Sequence, residues 1–348
     1  MRITGILSLL LLCASLLRAQ DKDSVAACIP AGICYMRGVN PDYIRKFNKP
    51  SDIRFILGTQ GSGVEYGSVR NSSPGLNTDL YANSSNSIGV GLSYKFIDGD
   101  LYYALPRTRM QRAEAQTMTQ FKLAFSYAFP AYTVRASFFA MNGAIVSGVG
   151  GHYQSTPNIS MLRIAVQGDY VFNHSRYSYR AANAMSAFQR KNAGSFILRT
   201  ELFYRELGAD SGLVPSDHEK TMVFQKQTGL RKLKAPGIQI IPGYAWNIVA
   251  YKGKMLVSPI LFAGPGFAYN FYETTTGWHA YPNWEWRAQL SLSAGYNGPR
   301  FYSSLTCSAE TGYIPLDPSY FSSTTLRAYI TTGYRFGYVE KLMPKSLF

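Results

Sequence analysis

Apolar and polar residues alternate along most of the chain, from residue 52 to residue 340. In residues 86–96 every second residue from Ile88 onward is apolar, and the residues between are glycine, serine and lysine. Residues 158–172 and 284–297 repeat this pattern. A period of two places successive side chains on opposite faces of an extended strand. The pattern is typical of membrane strands that face lipid on one side and a polar interior on the other.

We predict an all-β fold, an antiparallel transmembrane β-barrel of about twelve strands, within a range of 10–14. Twelve is an even number, as single-chain bacterial barrels require. The predicted strands are 52–70 (broken near Gly61), 86–96, 100–105, 117–128, 132–143, 158–172, 194–207, 237–251, 255–272, 284–297, 300–312 and 324–338. Many are far longer than the 5–6 residues that are usual for strands of soluble proteins. Their length argues against the main alternative, a soluble β-sandwich.

Short and long connections alternate between these strands. Tight turns are expected at 98–99, near Pro130, at 252–254 and at 298–299. The longer connections are 71–85, 105–116, 144–157, 208–236, 273–283 and 313–323. Short turns at one barrel end and long loops at the other are usual in outer-membrane barrels, whose short turns are periplasmic. We therefore expect both termini in the periplasm. The connection 173–193 is the exception, being long on the short-turn side.

The N-terminus predicts export. Arg2 precedes a short apolar run that ends near Ala19, which is typical of a cleaved secretory signal peptide over residues 1–19. We expect an N-terminal periplasmic segment over 20–51, the barrel over 52–340 and a tail over 341–348, in the outer membrane of a Gram-negative bacterium. Residues 43–47 could form one helical turn.

Two cysteines of the N-terminal segment, Cys28 and Cys34, are separated by a short loop with Pro30 and Gly32. In an oxidising compartment they could form a disulfide, although two unpaired thiols fit the sequence equally well.

Composition supports a membrane barrel. Aromatic residues make up 14% of the chain and charged residues only 16%, against about 25% charged in soluble domains. The formal net charge is +15. Since an exported protein does not routinely meet nucleic acid, we expect anionic lipid and lipopolysaccharide, and small anionic solutes, as partners. The sequence names no protein partner.

The polar face of the strands would line the lumen. Its charged residues are Lys95, Lys122, Arg163, Asp169, Arg199, Glu201, Arg205, Glu285, Arg287, Glu310, Arg327 and Arg335. Cations outnumber carboxylates among them, so the bore could attract anions. The alternative is that these charges pair across the lumen and plug it.

The sequence offers little for catalysis. A lipid-hydrolysing barrel needs a serine and a histidine within hydrogen-bonding distance. His152, His218 and His279 lie in predicted outer loops, and His174 is next to Ser175, whose side chain would point to the opposite face of a strand. No phosphate loop, zinc-ligand spacing or calcium loop is present, so we expect no cofactor and no metal.

The segment from Tyr170 to Phe196 is the most distinctive part of the chain, with the motifs YSYRAA at 177–182 and QRKNAGSF at 189–196. It resembles the uncharacterised Bacteroides-group outer-membrane barrel family known as domain-of-unknown-function family 4421. The resemblance extends from about residue 40 to the C-terminus. It implies a barrel and an outer-membrane location, and no activity. Residues 183–188 are mostly apolar here, where the family has a polar stretch.

This segment coincides with the long connection on the short-turn side. We expect it to be a folded-in plug or a docking site, with Ser178, Arg180, Gln189, Lys191 and Ser195 as its motif residues, or else a plain turn with solvated charges. For the whole protein we expect a narrow or plugged channel with a basic lumen. The alternatives are a lipid-modifying hydrolase or acyltransferase, and a structural or docking barrel of an envelope complex.

Overall fold

The computed structural model describes residues 25–29, 33–36, 38–47, 51–68, 78–81, 86–94, 97–105, 119–147, 153–210, 230–316 and 319–336. Twelve antiparallel strands within these ranges close into one barrel, which confirms the predicted fold class and strand number. The barrel strands are β4 (Ser51–Ser68), β6 (Asn86–Tyr94), β7 (Ile97–Ala104), β8 (Thr119–Ala128), β9 (Tyr132–Ser147), β10 (Tyr153–Val171), β12 (Ala193–Ala209), β13 (Lys232–Ala250), β14 (Met255–Thr274), β15 (Gly277–Asn297), β16 (Phe301–Leu316) and β17 (Ser319–Phe336). The barrel closes where β4 pairs with both β17 and β6.

The shorter elements are β1 (Val25–Ile29), β2 (Ile33–Met36), β3 (Ile44–Arg45), β5 (Thr78–Tyr81), β11 (Phe188–Gln189) and the helix α1 (Tyr179–Ala184). No helix among the described residues is long and apolar enough to cross a membrane.

The barrel has two different ends. Ser51 pairs with Phe336 at one end, which we call the proximal end. The short turns at 129–131, 251–254 and 298–300 also lie there. At the opposite, distal end, β5 pairs with the tips of both β4 and β9, beyond the ends of the shorter strands β6, β7 and β8. The sheet is therefore closed a second time, by β5, at its distal edge.

The outer surface carries an apolar belt. Leu92, Leu202, Leu261 and Leu290 point outward and are each more than half exposed. Aromatic pairs border the belt at both ends. Phe196–Tyr244 and Phe301–Tyr334 lie at the proximal border, and Phe267–Trp284 and Tyr269–Phe271 lie at the distal border. An apolar band between two aromatic girdles is the surface that a bilayer requires.

Several predicted boundaries are wrong, for different reasons. The turn predicted at 98–99 lies inside β7, because the carboxylate of Asp98 points inward, where Arg54 donates to it at 3.4 Å. The loop predicted over 273–283 is a two-residue turn, because β14 and β15 remain paired as far as Thr274 and Gly277. Gly277 has a positive φ of 122° at this turn. β4 runs without a break past Gly61. β14 and β15 thus extend beyond the apolar pattern that predicts them.

The N-terminal segment is only partly described. The antiparallel register of β1 and β2 places Cys28 directly opposite Cys34, and the disulfide between them stays a prediction. The helical turn predicted over 43–47 is wrong, because Ile44 and Arg45 are extended and pair with Gln189 and Phe188. The predicted signal peptide (1–19) and tail (341–348) lie outside the described residues, and the division at residue 51 stays a prediction.

Candidate functional site

The long proximal connection, residues 172–192, folds into the end of the barrel, and we call it the plug. Its helix α1 starts at Ser178, whose hydroxyl accepts a hydrogen bond from the amide of Ala181 at 3.2 Å. It ends at Met185, which has φ of 51° in the left-handed region. A serine at the N-cap and a left-handed residue at the C-terminus are ordinary helix boundaries. Tyr177 and Ala181 are completely buried, so the plug is packed inside the barrel.

Tyr179 attaches the plug to one wall. Its hydroxyl donates to Asp169 Oδ2 at 2.9 Å and accepts from Arg199 Nη2 at 2.9 Å. Arg199 Nε in turn forms a 2.7 Å ion pair with Asp169 Oδ1 and stacks 3.7 Å from the ring centre of Phe262. Burial, with the charge of Asp169, raises the pKa of Tyr179 to about 12, so the phenol keeps its proton.

Amide and guanidinium groups of three further strands hold the backbone of the plug. Asn247 Nδ2 donates to the carbonyl of Ser178, and Asn297 Nδ2 donates to that of Ala187, both at 2.9 Å. Arg335 Nη2 donates to the carbonyl of Met185. Asn297 and Arg335 thus supply donors to backbone carbonyls of the plug, and Asn247 adds a second donor to the carbonyl of Ser178, which also accepts from the amide of Ala182 at 3.3 Å. The plug is therefore attached to β10, β12, β13, β15 and β17.

Gln189 joins the two halves of the plug. Its Oε1 accepts from the amide of Ser178 at 2.9 Å, and its Nε2 donates to the carbonyls of Arg176 and Lys191 at 2.7 and 2.9 Å. Because Gln189 is almost completely buried, these three bonds replace water as its partners.

The other three predicted motif residues lie in different parts of the site. Arg180 lies in α1 and lines the lumen cavity, whereas the side chain of Lys191 is exposed on the outer surface of the plug. Ser195 lies in β12 at the base of the plug and accepts from the amide of Asn173 at 2.9 Å.

Residues 38–47, which we call the N-terminal strap, cover the plug. Asn40 N donates to Ser175 O at 2.8 Å, and Arg190 N donates to Tyr43 O at 2.7 Å. Ile44 inserts among Ala181, Met185, Leu256 and Tyr302. This contact combines a strand pairing with a buried apolar anchor, and no sequence pattern indicates it.

The structure places the predicted lumen residues as follows. Lys95 lies outside the described residues. Arg335 points inward but is covered by the plug and the strap. The other ten line one lumen cavity of about 330 Å³, which extends from α1 to an apolar cluster near the distal end: Lys122, Arg163, Asp169, Arg199, Glu201, Arg205, Glu285, Arg287, Glu310 and Arg327. The distal cluster includes Ile159, Leu207, Leu233, Ile314 and Phe321.

Most of these charges pair across the cavity. Glu201 accepts from Arg163 at 2.5 Å and from Arg287 at 2.8 Å, and Glu310 accepts from Arg287 at 2.6 Å. Arg327 lies 3.4 Å from Glu310. A second group joins Arg205 and Gln239 to Glu285. The network connects β10, β12, β13, β15, β16 and β17 and narrows the bore.

Two cations of the cavity stand apart from this network. Lys122 on β8 lies 5.1 Å from the ring centre of Tyr102, and Arg135 on β9 is exposed to the same cavity. Neither has a carboxylate within 4 Å in the part of the chain that the structure describes. Arg135 is a further lumen cation that the sequence prediction missed, although it occupies an inward position of a predicted strand.

A buried acidic cluster was missed as well. Arg54 donates to Asp100 Oδ1 at 2.8 Å, to Asp52 Oδ1 at 3.2 Å and to Ser93 Oγ at 2.7 Å. Asp52 also accepts from Tyr302 at 2.7 Å. Asp52 and Arg54 are two residues apart on β4, so both side chains lie on its inner face. The interpretation of residues 98–99 as a turn concealed the remaining carboxylates.

Of the four histidines, two lie in the described ranges. His174 lies in the plug turn, with Nδ1 3.3 Å from Val171 O. His279 Nε2 lies 3.1 Å from Thr276 Oγ1 in the exposed distal hairpin and stacks on Tyr272. No serine hydroxyl contacts either ring in the described part of the chain. Those same ranges contain no group of three His, Cys, Asp or Glu side chains that could hold a metal ion.

Comparison with solved structures finds outer-membrane barrels of other sequence. OmpT of Vibrio cholerae is 9% identical, with 80% of this chain and 98% of that chain covered and a TM-score of 0.31. The β-domain of the Bordetella autotransporter BrkA is 10% identical, with coverages of 83% and 100% and a TM-score of 0.38. The toluene transporter TodX of Pseudomonas putida is 8% identical, with coverages of 83% and 90% and a TM-score of 0.29.

No curated protein matches the sequence. The model of one protein family, described as a domain of unknown function (DUF4421), matches residues 40–336. The match begins in the strap and ends with the last barrel strand, so it includes most of the strap, the whole plug and all twelve strands. The chain therefore belongs to the family described as a domain of unknown function, DUF4421.

Proposed function

We propose that this protein is a channel barrel that its own plug holds closed. The observation that carries the proposal is the position of residues 172–192, which fold into the proximal mouth and are attached by side chains of five strands. A plain turn outside the mouth would make none of these contacts. A twelve-stranded barrel is wider than the eight-stranded barrels that side chains can fill, so closing its bore needs an additional element.

The charges of the lumen give the proposed channel a preference for anions. Lys122 and Arg135 add positive charge to a cavity whose carboxylates are already shared among arginines. Fixed cations in a narrow bore of low dielectric constant raise the local concentration of anions. The channel, when open, therefore selects small anions. The proximal end, where the first barrel strand begins and the last one ends, faces the periplasm.

A flux measurement tests this proposal. Proteoliposomes with an entrapped halide-sensitive dye report chloride entry for the wild type and for a variant in which a four-residue Gly-Ser turn replaces residues 174–191. We expect no entry above protein-free vesicles for the wild type and rapid entry for the variant. Both proteins must show the heat-dependent gel mobility of a folded barrel. Equal entry for the two folded proteins would refute the plug.

A second candidate function, docking within an envelope complex, is favoured by the basic outer surface of the plug. The exposed side chains of Arg176 and Lys191 lie 5.4 and 5.3 Å from the ring centre of Tyr43. A photo-crosslinking residue at position 191 tests it in cells, with position 252 of the neighbouring turn as the control. A discrete adduct at 191 alone supports docking, and identical patterns at both positions exclude it.

The enzyme hypothesis has little support from the described residues. His279 shares a hydrogen bond with Thr276, but the hairpin is exposed, and no described side chain orients its second ring nitrogen. A hydrolase needs a nucleophile, a base and a group that positions the base.

A further inference from the structure

The wall formed by β8, β9 and β10 arranges side chains in rows, because adjacent strands pair residue by residue. One row consists of Lys122, Phe139 and Arg163, since Phe139 pairs with both of the others. The row that is two residues nearer the proximal end consists of Ala124, Ser137 and Ala165. The next contains Arg135, between Ser126 and Gln167. Small side chains thus lie between two rows that contain cations.

These rows form a concave part of the lumen cavity. Ala124 and Ser137 line the cavity, as do Lys122, Arg135 and Arg163. Lys122 and Arg163 are two strands apart, about 10 Å between Cα atoms, and Arg135 lies about 13 Å along its strand from Phe139. Long side chains at these distances can reach one ligand from opposite sides. The ring of Phe139 between Lys122 and Arg163 offers an apolar surface to the body of that ligand.

Cations predominate on this wall, where the carboxylate of Asp169 is paired with Arg199 of the neighbouring strand. Arg163 and Arg287 both form ion pairs with Glu201 and with Glu310. Arg327, across the cavity, forms an ion pair with Glu310 as well. Lys122 and Arg135 have no described carboxylate within 4 Å. Several cations held close together in a low-dielectric site repel one another, and a ligand of opposite charge relieves that repulsion.

We propose that this wall binds a compact organic molecule with two or more anionic groups, either phosphates or carboxylates. Lys122 and Arg135 hold its separate anionic groups, Arg163 adds a third contact, and the small row accommodates its body. A cavity of about 330 Å³ is at the lower end of the range for small-molecule pockets, about 300–1,000 Å³. This proposal rests on the proposed function, since the plug forms the proximal boundary of the cavity.

Titration calorimetry on the refolded barrel in detergent, at constant ionic strength, tests the site. The probes are citrate and pyrophosphate. Acetate, with one negative charge, and glucose, which is uncharged, are the control ligands. We expect citrate, pyrophosphate or both to bind, and acetate and glucose to bind far more weakly or not at all. Loss of two charge-assisted contacts in a Lys122→Gln and Arg135→Gln double variant weakens binding at least about tenfold. Preference for pyrophosphate identifies a phosphorylated ligand, and preference for citrate a polycarboxylate.

The control is Lys232→Gln, which removes one charge near the distal rim, where Lys232 pairs with Glu206 at 2.8 Å. This variant should bind citrate and pyrophosphate as the wild type does. Should the double variant not fold, the single variants Lys122→Gln and Arg135→Gln provide the same comparison.

The proposal is overturned if neither probe binds, or if the cation variants bind as well as the wild type. The flux measurement of the plug is independent of calorimetry. A silent wild-type barrel without binding would contradict this site alone, and a leaky wild-type barrel with binding would contradict the plug alone.

Discussion

Arg335 places its guanidinium between the rings of Phe47 and Tyr302, 3.8 and 4.3 Å from their centres. It donates to the carbonyls of Met185 and Gly298 and to Asn297 Oδ1. One residue therefore connects the last strand, the strap, the plug and a proximal turn. Its planar fork of donors suits several acceptors at once, which a lysine could not satisfy.

Replacing Arg335 with methionine should release the plug without breaking the barrel. The change leaves the buried acceptors of Arg335 unsatisfied, which should lower the free energy of unfolding by about 2–4 kcal/mol. The checks are urea unfolding in lipid vesicles and trypsin cleavage within 172–192. Arg300→Met, at an exposed position of the same end, should change neither. Wild-type protease resistance in the Arg335 variant would show that the anchor is dispensable.

At the scale of elements, the helix α1 fits its site closely. Ala181 is completely buried and packs with Ile44, Met185, Leu256 and Tyr302. The side chain of Asn183, two residues further on, is exposed and borders the lumen cavity. The two positions of one helix thus differ in the space that is open to a larger side chain.

Ala181→Phe should displace the helix from the barrel mouth. Overpacking of a filled site costs about 1–3 kcal/mol, and the plug can avoid that cost by moving outward. We expect chloride entry into proteoliposomes to increase for this variant. The same substituent at the open position, Asn183→Phe, should leave the vesicles tight. Tight vesicles for both variants would indicate that α1 does not close the bore.

The sequence predicted the strands better than their ends. Alternation identified all twelve barrel strands, since lipid on one side and a polar lumen on the other impose a period of two. It failed at residues 98–99, where an Asp-Gly pair that favours a hairpin turn instead places Asp98 beside Arg54. It also failed at 273–283, because hairpins that extend beyond the bilayer no longer need an apolar face.

The candidate site was predictable in part. The ten charges that line the cavity followed from the strand pattern alone, whereas their pairing depends on which strands face each other across the bore. The plug was indicated only by an unusually long connection at the short-turn end. The anchors Asn247 and Asn297 and the insertion of Ile44 join positions that are distant along the chain. No local pattern could have identified them.

For the whole molecule, the apolar belt is the feature that holds the barrel in a bilayer. Leu290 lies near the middle of β15, is 54% exposed and pairs with Leu261 and Ala309 on the neighbouring strands. The distal hairpin tip at Thr276 lies beyond the aromatic girdle. The two positions differ in their expected depth in the membrane.

Leu290→Arg should destabilise the barrel by about 2–4 kcal/mol, the cost of a charge near the bilayer midplane. Thr276→Arg should cost close to nothing, because its side chain is in water. Reversible unfolding in lipid vesicles measures both. If the two substitutions had equal effects, Leu290 would not lie at the bilayer midplane and the belt would be misplaced.

Single-channel recording in a planar bilayer shows directly whether the plug closes the bore. We expect a silent wild type after confirmed insertion. Asn247→Ala with Asn297→Ala should give intermittent anion-selective openings, while Asn283→Ala at the distal end remains silent. Steady conductance from the wild type, equal to that of the anchor variant, would show that the plug does not close the bore.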